Sequence, residues 1–556
     1  MVFARRHWPL LAALALLYAM TAVSLVISIR ANAGHLVYAL DDPYIIMATA
    51  KNLALHGVWG VTKYGFSSSS SSILWPLVLA ATYVGFGVNE LSPLVLNLIA
   101  AGLVVTCSYF FLRRYTRNSL FLVAALASMI LFVSLPALIL TGHEHLVHTL
   151  FTIWLAYWAA ATLTGRRTGL RAVLGLSAVA ALAISSRYEG LMLAAVVGAL
   201  LLARQRLRDG LMFGVIALAP VTIFGLVSIA HGWSFLPQSV LARGSAPDVT
   251  SAEAILGGIA SSIFVHPARH SFLIALLCGN LAFVIIDAIR TRGIWRDTTI
   301  MSLLFVISAI LHLQVAKLGS LDRYEAYLVA LGLFATAASI ASHAAELGRP
   351  RADARSLAWY GVLGLIGAAT VGTLVPRGWE LATMAPVATT NIYEQQYQMG
   401  LFVKKFYEGR CVALNDIGAV NFLADIKCLD LWGLANREVA EARGAGTYDT
   451  ARIRELVSAS GAEIAILYPK WFTRFGGLPP EWTEVGEWRI RNNVICGGRA
   501  VSIYAITPSE RAPLDSSLCA FSPELPEAVL QLRGQGSPTP GSPLLKRPPK
   551  GPRGNH

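Results

Sequence analysis

Two aspartates stand side by side at Asp41 and Asp42, followed at once by Pro43. A carboxylate with a like-charged neighbour holds protons more tightly, and so serves well as a base toward a hydroxyl. Aspartate suits a helix N-cap and proline the first helical position. The pattern therefore predicts a short amphipathic helix from Pro43 to about Leu55, closing at Gly57, where glycine tolerates left-handed backbone. With the Asp42 carboxylate spent on that helix start, Asp41 is expected to project free from the preceding turn. An acidic cap on an interfacial helix is the plain structural alternative. Further polar residues recur in "TGHEHLVH" (141–148), "SSRYEG" (185–190), "PQSVLAR" (237–243) and "KLGSLDRYEAY" (317–327). His145 and His148 lie one helical turn apart. That spacing suits a divalent metal or, equally, two histidines at a membrane interface.

Composition says what must position these residues. Of 556 residues, 55% are hydrophobic and only 14% charged, with a mean hydropathy of +0.57. Soluble domains carry about 25% charged residues, so this chain is solvated mainly by lipid. Apolar runs near the ~20 residues needed to cross a bilayer fall at 8–29, 92–112, 119–140, 145–164, 171–185, 189–203, 211–231, 271–289, 299–316, 324–342 and 357–375. The first is too long for a cleaved leader and has no small-residue cleavage site after it. A shorter run, 73–88, is ambiguous. Arginines cluster at 113–117, 166–171, 204–208, 290–296 and 349–355. If 73–88 is interfacial or re-entrant, all five clusters share one side with Arg5 and Arg6, as cytoplasmic loops do. The expected fold is thus a polytopic α-helical membrane protein with about eleven spanning helices and one interfacial segment. Its N-terminus is cytoplasmic and its C-terminal part external. The net charge of +13 marks topology rather than a nucleic-acid surface. Asp41, Asp42 and the four polar motifs all fall on the outer face, where ionisable residues at helix mouths point to a shared site.

Three regions follow: a membrane domain, 1–375, with its first external loop at 30–91; an external α/β domain, 376–510; and a basic Pro/Gly-rich tail, 511–556, expected to be disordered. Strands are expected at 411–416, 427–431, 462–468 and 500–506, with 417–424 helical, which favours a small, partly parallel sheet. Four of the six cysteines (Cys411, Cys428, Cys496 and Cys519) fall in the external part, where disulfides persist. Of the three possible pairings, Cys411 with Cys428 is favoured, because both sit on candidate neighbouring strands. Neither CxxC nor HExxH occurs, which argues against structural zinc.

The stretch "DDPYIIMATAKNLALHGVWGVTKYGFSSSSSSILWP" (41–76) resembles the first external loop of a bacterial branch of the GT-C superfamily. These integral-membrane glycosyltransferases use polyprenyl-phosphate-linked sugars, and this branch is related to protein O-mannosyltransferases and arabinofuranosyltransferases. "TGHEHLVHTL", "SRYEGL", "RYEAYL" and "ALNDIGAVNFLADIKCLDLWGLAN" (413–436) extend the resemblance over about 35–440. It implies that Asp41 is the base that deprotonates the acceptor hydroxyl, with Asp42 as its partner. Glu144 would be the second external acid, beside His143 and His145. The donor phosphate would fall to Arg323 first, then Lys317, Arg187 and Arg243; arginine suits bidentate phosphate contact. The serine run Ser67–Ser72 would pack near the lipid carrier. A metal stays open through His145 and His148. The implied partners are a polyprenyl-phosphate-linked sugar donor, membrane lipid, and an envelope glycan, lipid or protein acceptor. The reaction would be an inverting transfer at the outer face of the plasma (inner) membrane. Better-known members carry Asp-Glu where this chain has Asp41-Asp42, so their sugar specificities do not transfer.

A secondary transporter or flippase for a lipid-linked sugar is the reading from another class. Transporters place charges and broken helices at the bilayer midplane and show internal repeats. Here the charges gather at the outer face, and an external domain is attached.

Overall fold

Apolar backbone in lipid must satisfy its N–H and C=O groups within the segment, so long apolar runs become helices. The computed structural model describes residues 2–242, 267–291, 293–315, 319, 321–347, 354–534 and 537–538. It divides into two units, Met1–Leu36 with Ser68–Pro386, and Val37–Ser67 with Val387–His556.

In the first unit every expected apolar run is helical. The helices are α1 (Val2–Ala31), α3 (Leu74–Phe86), α4 (Leu91–Leu112), α5 (Ser119–Phe132), α6 (Leu135–Leu140), α7 (His145–Leu163), α8 (Leu170–Ser186), α9 (Gly190–Ala203) and α10 (Leu207–Ala230). After α11 (Gln238–Leu241) come α12 (Pro267–Thr291), α13 (Asp297–Val315), α14 (Ala326–Leu347) and α15 (Ala354–Ile392). Among the described residues, seven helices are long and apolar enough to cross a membrane, and α3, α5, α8 and α9 are shorter apolar helices. The span expected at 119–140 is not one helix. Ser134 adopts left-handed backbone (φ 58°) and Pro136 follows, which breaks the run into α5 and α6. The α3 helix, at 13 residues, is about 20 Å long, short of a ~30 Å hydrocarbon core. The last apolar run does not end at 375: α15 continues through Pro376 and Pro386, and the unit boundary falls after Pro386.

Hydrogen bonds and stacked charges tie the arginine-rich helix ends together. His7 Nδ1 lies 3.1 Å from the Tyr109 hydroxyl and 3.3 Å from Arg113. Tyr115 and Arg166 both meet Asp297, Arg206 donates to the Thr162 carbonyl, and Arg204 lies over Trp295. The start of α1 and the arginines around 113, 166, 204 and 296 thus share one end of the bundle.

The second unit is built on a seven-stranded sheet, β1 (Cys411–Leu414), β2 (Lys427–Asp430), β3 (Ile464–Leu467), β4 (Thr483–Arg489), β5 (Ala500–Ala505), β6 (Leu530–Arg533) and β7 (Ser537–Pro538), in the order β2-β1-β3-β5-β4-β6-β7. Strands β2, β1 and β3 are parallel and the rest antiparallel. The chain stays folded past 511, against the tail expected from there: Arg511–Phe521 is a helix and β6 pairs with β4, and residues 539–556 lie outside the described residues. All six cysteines are free thiols. The favoured Cys411–Cys428 bridge is absent for a geometric reason. Register sets Cys428 beside Val412, so Cys411, one residue away, points to the opposite face of the sheet.

To this sheet the unit adds the segment 37–67, which carries α2 (Asp42–His56). The helix ends as expected at Gly57 in left-handed backbone (φ 67°). It is not an amphipathic surface helix, however, because Pro43 to Ala50 are buried all round.

Candidate active site

The chain before α2 departs from its expected capping. The helix starts at Asp42, and Asp41 is its N-cap, without any side-chain capping bond. Asp41 has helical backbone (φ −77°, ψ −33°) rather than the extended backbone that lets a cap side chain turn back on its own helix. Nor is Asp41 free. Its carboxylate accepts the Gly418 N–H at Oδ2 and the Ala419 N–H at Oδ1, both at 2.8 Å. These amides open the six-residue helix α16 (Gly418–Leu423), which follows β1. A Cβ at Gly418 would run into the backbone oxygen and carboxyl of Asp41, so glycine is what permits this approach.

The other end of α16 is held by the same helix α2. Lys51 Nζ donates to the Asn421 and Phe422 carbonyls, both at 2.8 Å. An acid on the leading amides and a base on the trailing carbonyls fix α16 against α2. Charged hydrogen bonds contribute about 1.5–3 kcal/mol each, so Lys51→Met is expected to destabilise the protein by roughly 2 kcal/mol. SDS titration of the purified protein measures it; a loss below about 0.5 kcal/mol would mean that the clamp does not hold in solution.

The turn between β1 and α16 brings a third acid, Asp416. Its Oδ2 accepts from Gln396 Nε2 at 2.8 Å, and the same amide donates to the Tyr468 hydroxyl, also at 2.8 Å. Tyr468 in turn donates to Gln395 Oε1 at 2.5 Å, and the Cys496 thiol donates to Gln396 Oε1 at 3.3 Å. Gln395 and Gln396 belong to a turn of π-helix, Tyr393–Tyr397, whose five residues are all buried. Such wide turns recur at functional sites because they re-aim side chains. Asp416 and Tyr468 follow the carboxyl ends of β1 and β3, and the end of a parallel strand is where α/β sheets bind ligands. Burial pushes the Asp41 carboxyl up to about 8; Asp416 and Asp42 add to that against the two amides. Burial also raises Asp416, with Asp42 adding and Gln396 opposing.

A second constellation lies within the first unit. Glu144, fully buried, precedes α7 and receives Arg187 Nη1 at 2.8 Å, His143 Nδ1 at 3.1 Å and the Ser71 hydroxyl at 3.4 Å. Burial alone would raise its carboxyl, but His143 and Arg187 hold it down at about 2. Arg187, itself 3% exposed, also pairs with Glu189 at 2.6 Å. The guanidinium of Arg187 lies 5.6 Å from the Tyr324 ring, and that of Arg323 lies 4.7 Å from it; Arg323 also donates to the Tyr324 hydroxyl at 2.9 Å. "RYE" thus occurs twice, at 187–189 and 323–325, and both arginines meet on one tyrosine. The serines from 67 to 72 are buried rather than loose, and the Ile73 N–H and Ser72 hydroxyl reach the Ser185 carbonyl.

His148 Nδ1 faces the Ala183 carbonyl and Ser186 hydroxyl at 3.1 and 3.2 Å. Among the described residues, the group of three candidate ligands whose donor atoms lie within 4.8 Å of one another is His143, Glu144 and His145, which takes in one of the expected metal pair. Arg187 already occupies that set, at Glu144 and at 3.3 Å from His145 Nε2, so a permanent cation stands where a divalent ion would. The trio fits an arginine better than a metal. Lys317 and Arg243 lie outside the described residues.

Residues 390–504 match a family described as a domain of unknown function, DUF8728. No curated protein matches the sequence. The structure is similar to that of ArnT from Cupriavidus metallidurans bound to undecaprenyl phosphate, at 13% identity and a TM-score of 0.51, over 90% of this chain and 98% of that one. The apo form of ArnT gives 12% and 0.49, over 90% and 99%. Arabinofuranosyltransferase AftD from Mycobacteria gives 14% and 0.40, over 88% of this chain and 41% of its own. With its apolar helices and its likeness to ArnT along nearly the whole length, the chain is a polytopic membrane protein of the GT-C fold.

Proposed function

We propose that this protein is a membrane glycosyltransferase that moves a sugar from a polyprenyl-phosphate carrier to a hydroxyl of an envelope glycan, lipid or protein. The reading is supported above all by the likeness to a structure that holds undecaprenyl phosphate, over 90% of the chain. In the step proposed, Asp41 accepts the proton of the acceptor hydroxyl. The acceptor oxygen then bonds to the anomeric carbon as the carbon–phosphate oxygen bond breaks, and the electron pair leaves on the polyprenyl phosphate. One displacement inverts the anomeric centre. The departing phosphate gains negative charge, and a preorganised guanidinium stabilises it. Arg323 is assigned that role, whereas Arg187, committed to Glu144 and Glu189, braces it through Tyr324. No step is routed through a metal. The arginine-rich end of the bundle would face the cytoplasm and Asp41 the outer side of the plasma membrane.

Membrane vesicles containing the protein, given a panel of radiolabelled polyprenyl-phosphate sugars, test this reading. Transfer from at least one donor into a membrane acceptor is the expected result. If no donor supports transfer, and the vesicles instead flip or import the lipid-linked sugar, the protein is a transporter.

A further inference from the structure

We propose that Asp416 is a positioning residue of this reaction: from the β1–α16 turn that grips Asp41, it acts on that carboxylate as a fixed like charge and keeps it a competent base. The inference rests on the glycosyl-transfer reading and assigns the folded carboxyl-terminal domain a part in the proton step.

Three observations carry it. Asp416 lies two residues before Gly418, whose amide, with that of Ala419, holds both Asp41 oxygens. The acid and the grip therefore come from one rigid turn at the end of a central strand. Asp416 itself is fixed, because Gln396 donates to its carboxylate and Gln396 is in turn held by Tyr468 and by the π-helical turn. And acids act on both carboxyls. Asp42 adds its charge to both carboxyls and Asp430 to Asp416, while two further titratable neighbours, Tyr468 and Cys496, are neutral when protonated. Glu394 adds to Cys496 from the π-turn. The cation on α2, Lys51, is spent at the far end of α16.

The two amides stabilise the charged form of Asp41 and so weaken it as a base, against its burial. A second acid opposes them. The chemistry needs that opposition: the proton of an unactivated hydroxyl moves only to a base whose proton affinity approaches neutral pH or above.

The test reads the protonation of Asp41 in two ways. The first is the pH dependence of kcat/KM in vesicles, using the donor that the wild type accepts. The second is labelling of Asp41 by dicyclohexylcarbodiimide across pH, followed by mass spectrometry. This apolar reagent attacks the protonated carboxyl and needs no turnover. In the wild type, labelling is expected to persist to about pH 8 and transfer to rise across the same range. Asp416→Asn removes the like charge, so both limbs are expected to move down by about one pH unit, as strongly coupled acids do. Asp416→Glu should leave them in place. Asp416→Ser, neutral and still able to accept from Gln396, replaces the Asn variant if that fails to fold. Limbs that coincide in the wild type and in the neutral variants overturn the inference. Absence of transfer in the wild type, with labelling that shifts as described, would overturn the glycosyl-transfer reading and leave the coupling of the two acids standing.

Discussion

Asp41→Asn is expected to lower the rate of transfer by at least about a hundredfold at matched expression, the usual range for a lost general base being 10²–10⁴. The site geometry adds a second cost. Asparagine offers one acceptor oxygen and one NH2 group to a clamp made of two N–H donors, so one amide, at Gly418 or Ala419, is left facing another donor. An orphaned buried donor costs about 1–3 kcal/mol, and the variant should be less stable by that much in SDS titration. The two effects separate cleanly, because a stability loss of that size leaves nearly all of the protein folded, whereas the lost base acts on every folded molecule. Asp42→Asn removes a neighbour rather than the gripped carboxylate, and its loss should be clearly smaller. Retained donor binding with abolished transfer in Asp41→Asn supports the base. Equal transfer by both variants and the wild type would sink it.

The second large effect falls on stability. Arg187 is buried between Glu144 and Glu189, and both carboxylates depend on it for compensation. Removing one partner of a buried ion pair costs about 3–5 kcal/mol, because the remaining charge stays desolvated. Arg187→Ala is expected to lose at least that much, read as the shift of the SDS unfolding midpoint. Arg187→Lys should fall between, since a compact ammonium cannot span two carboxylates as a planar guanidinium does. Arg187→Ala within about 1 kcal/mol of the wild type would mean that the bridge is not formed in the membrane.

Local signals carried far in this chain. Asp-Pro followed by Gly57 marked both ends of α2 to within a residue, although the cap itself sits one residue earlier than expected. Apolar length found the long helices of the described bundle, and Ser134 with Pro136 broke one expected span because steric backbone preferences outweigh hydropathy at single positions. The four strands rich in branched residues were legible. By contrast β4, "TEVGEWR", and β6, next to the proline-rich tail, carry charge or glycine and draw their order from pairing. The Arg187–Glu189 pair could be read from its spacing of two. Glu144 with Arg187, 43 residues apart, could not. Asp416 was invisible as a partner of Asp41 for the same reason: "ALND" looks like any strand end until the fold brings it beside an acid from the first loop. The cysteines failed through parity, since a register offset by one residue sends neighbouring side chains to opposite faces.

The grip on Asp41 spans 377 residues of chain, from the first loop to the turn after β1. Ribosomes add about 5–20 residues per second, so the loop waits roughly 20–75 s for its partner to be made. Until then Asp41 has neither its amides nor its acidic neighbour from β1. A nascent or truncated chain can therefore thread its helices into the bilayer before the Asp41 carboxylate is held. Contacts of such high sequence separation place this docking late among the events of folding.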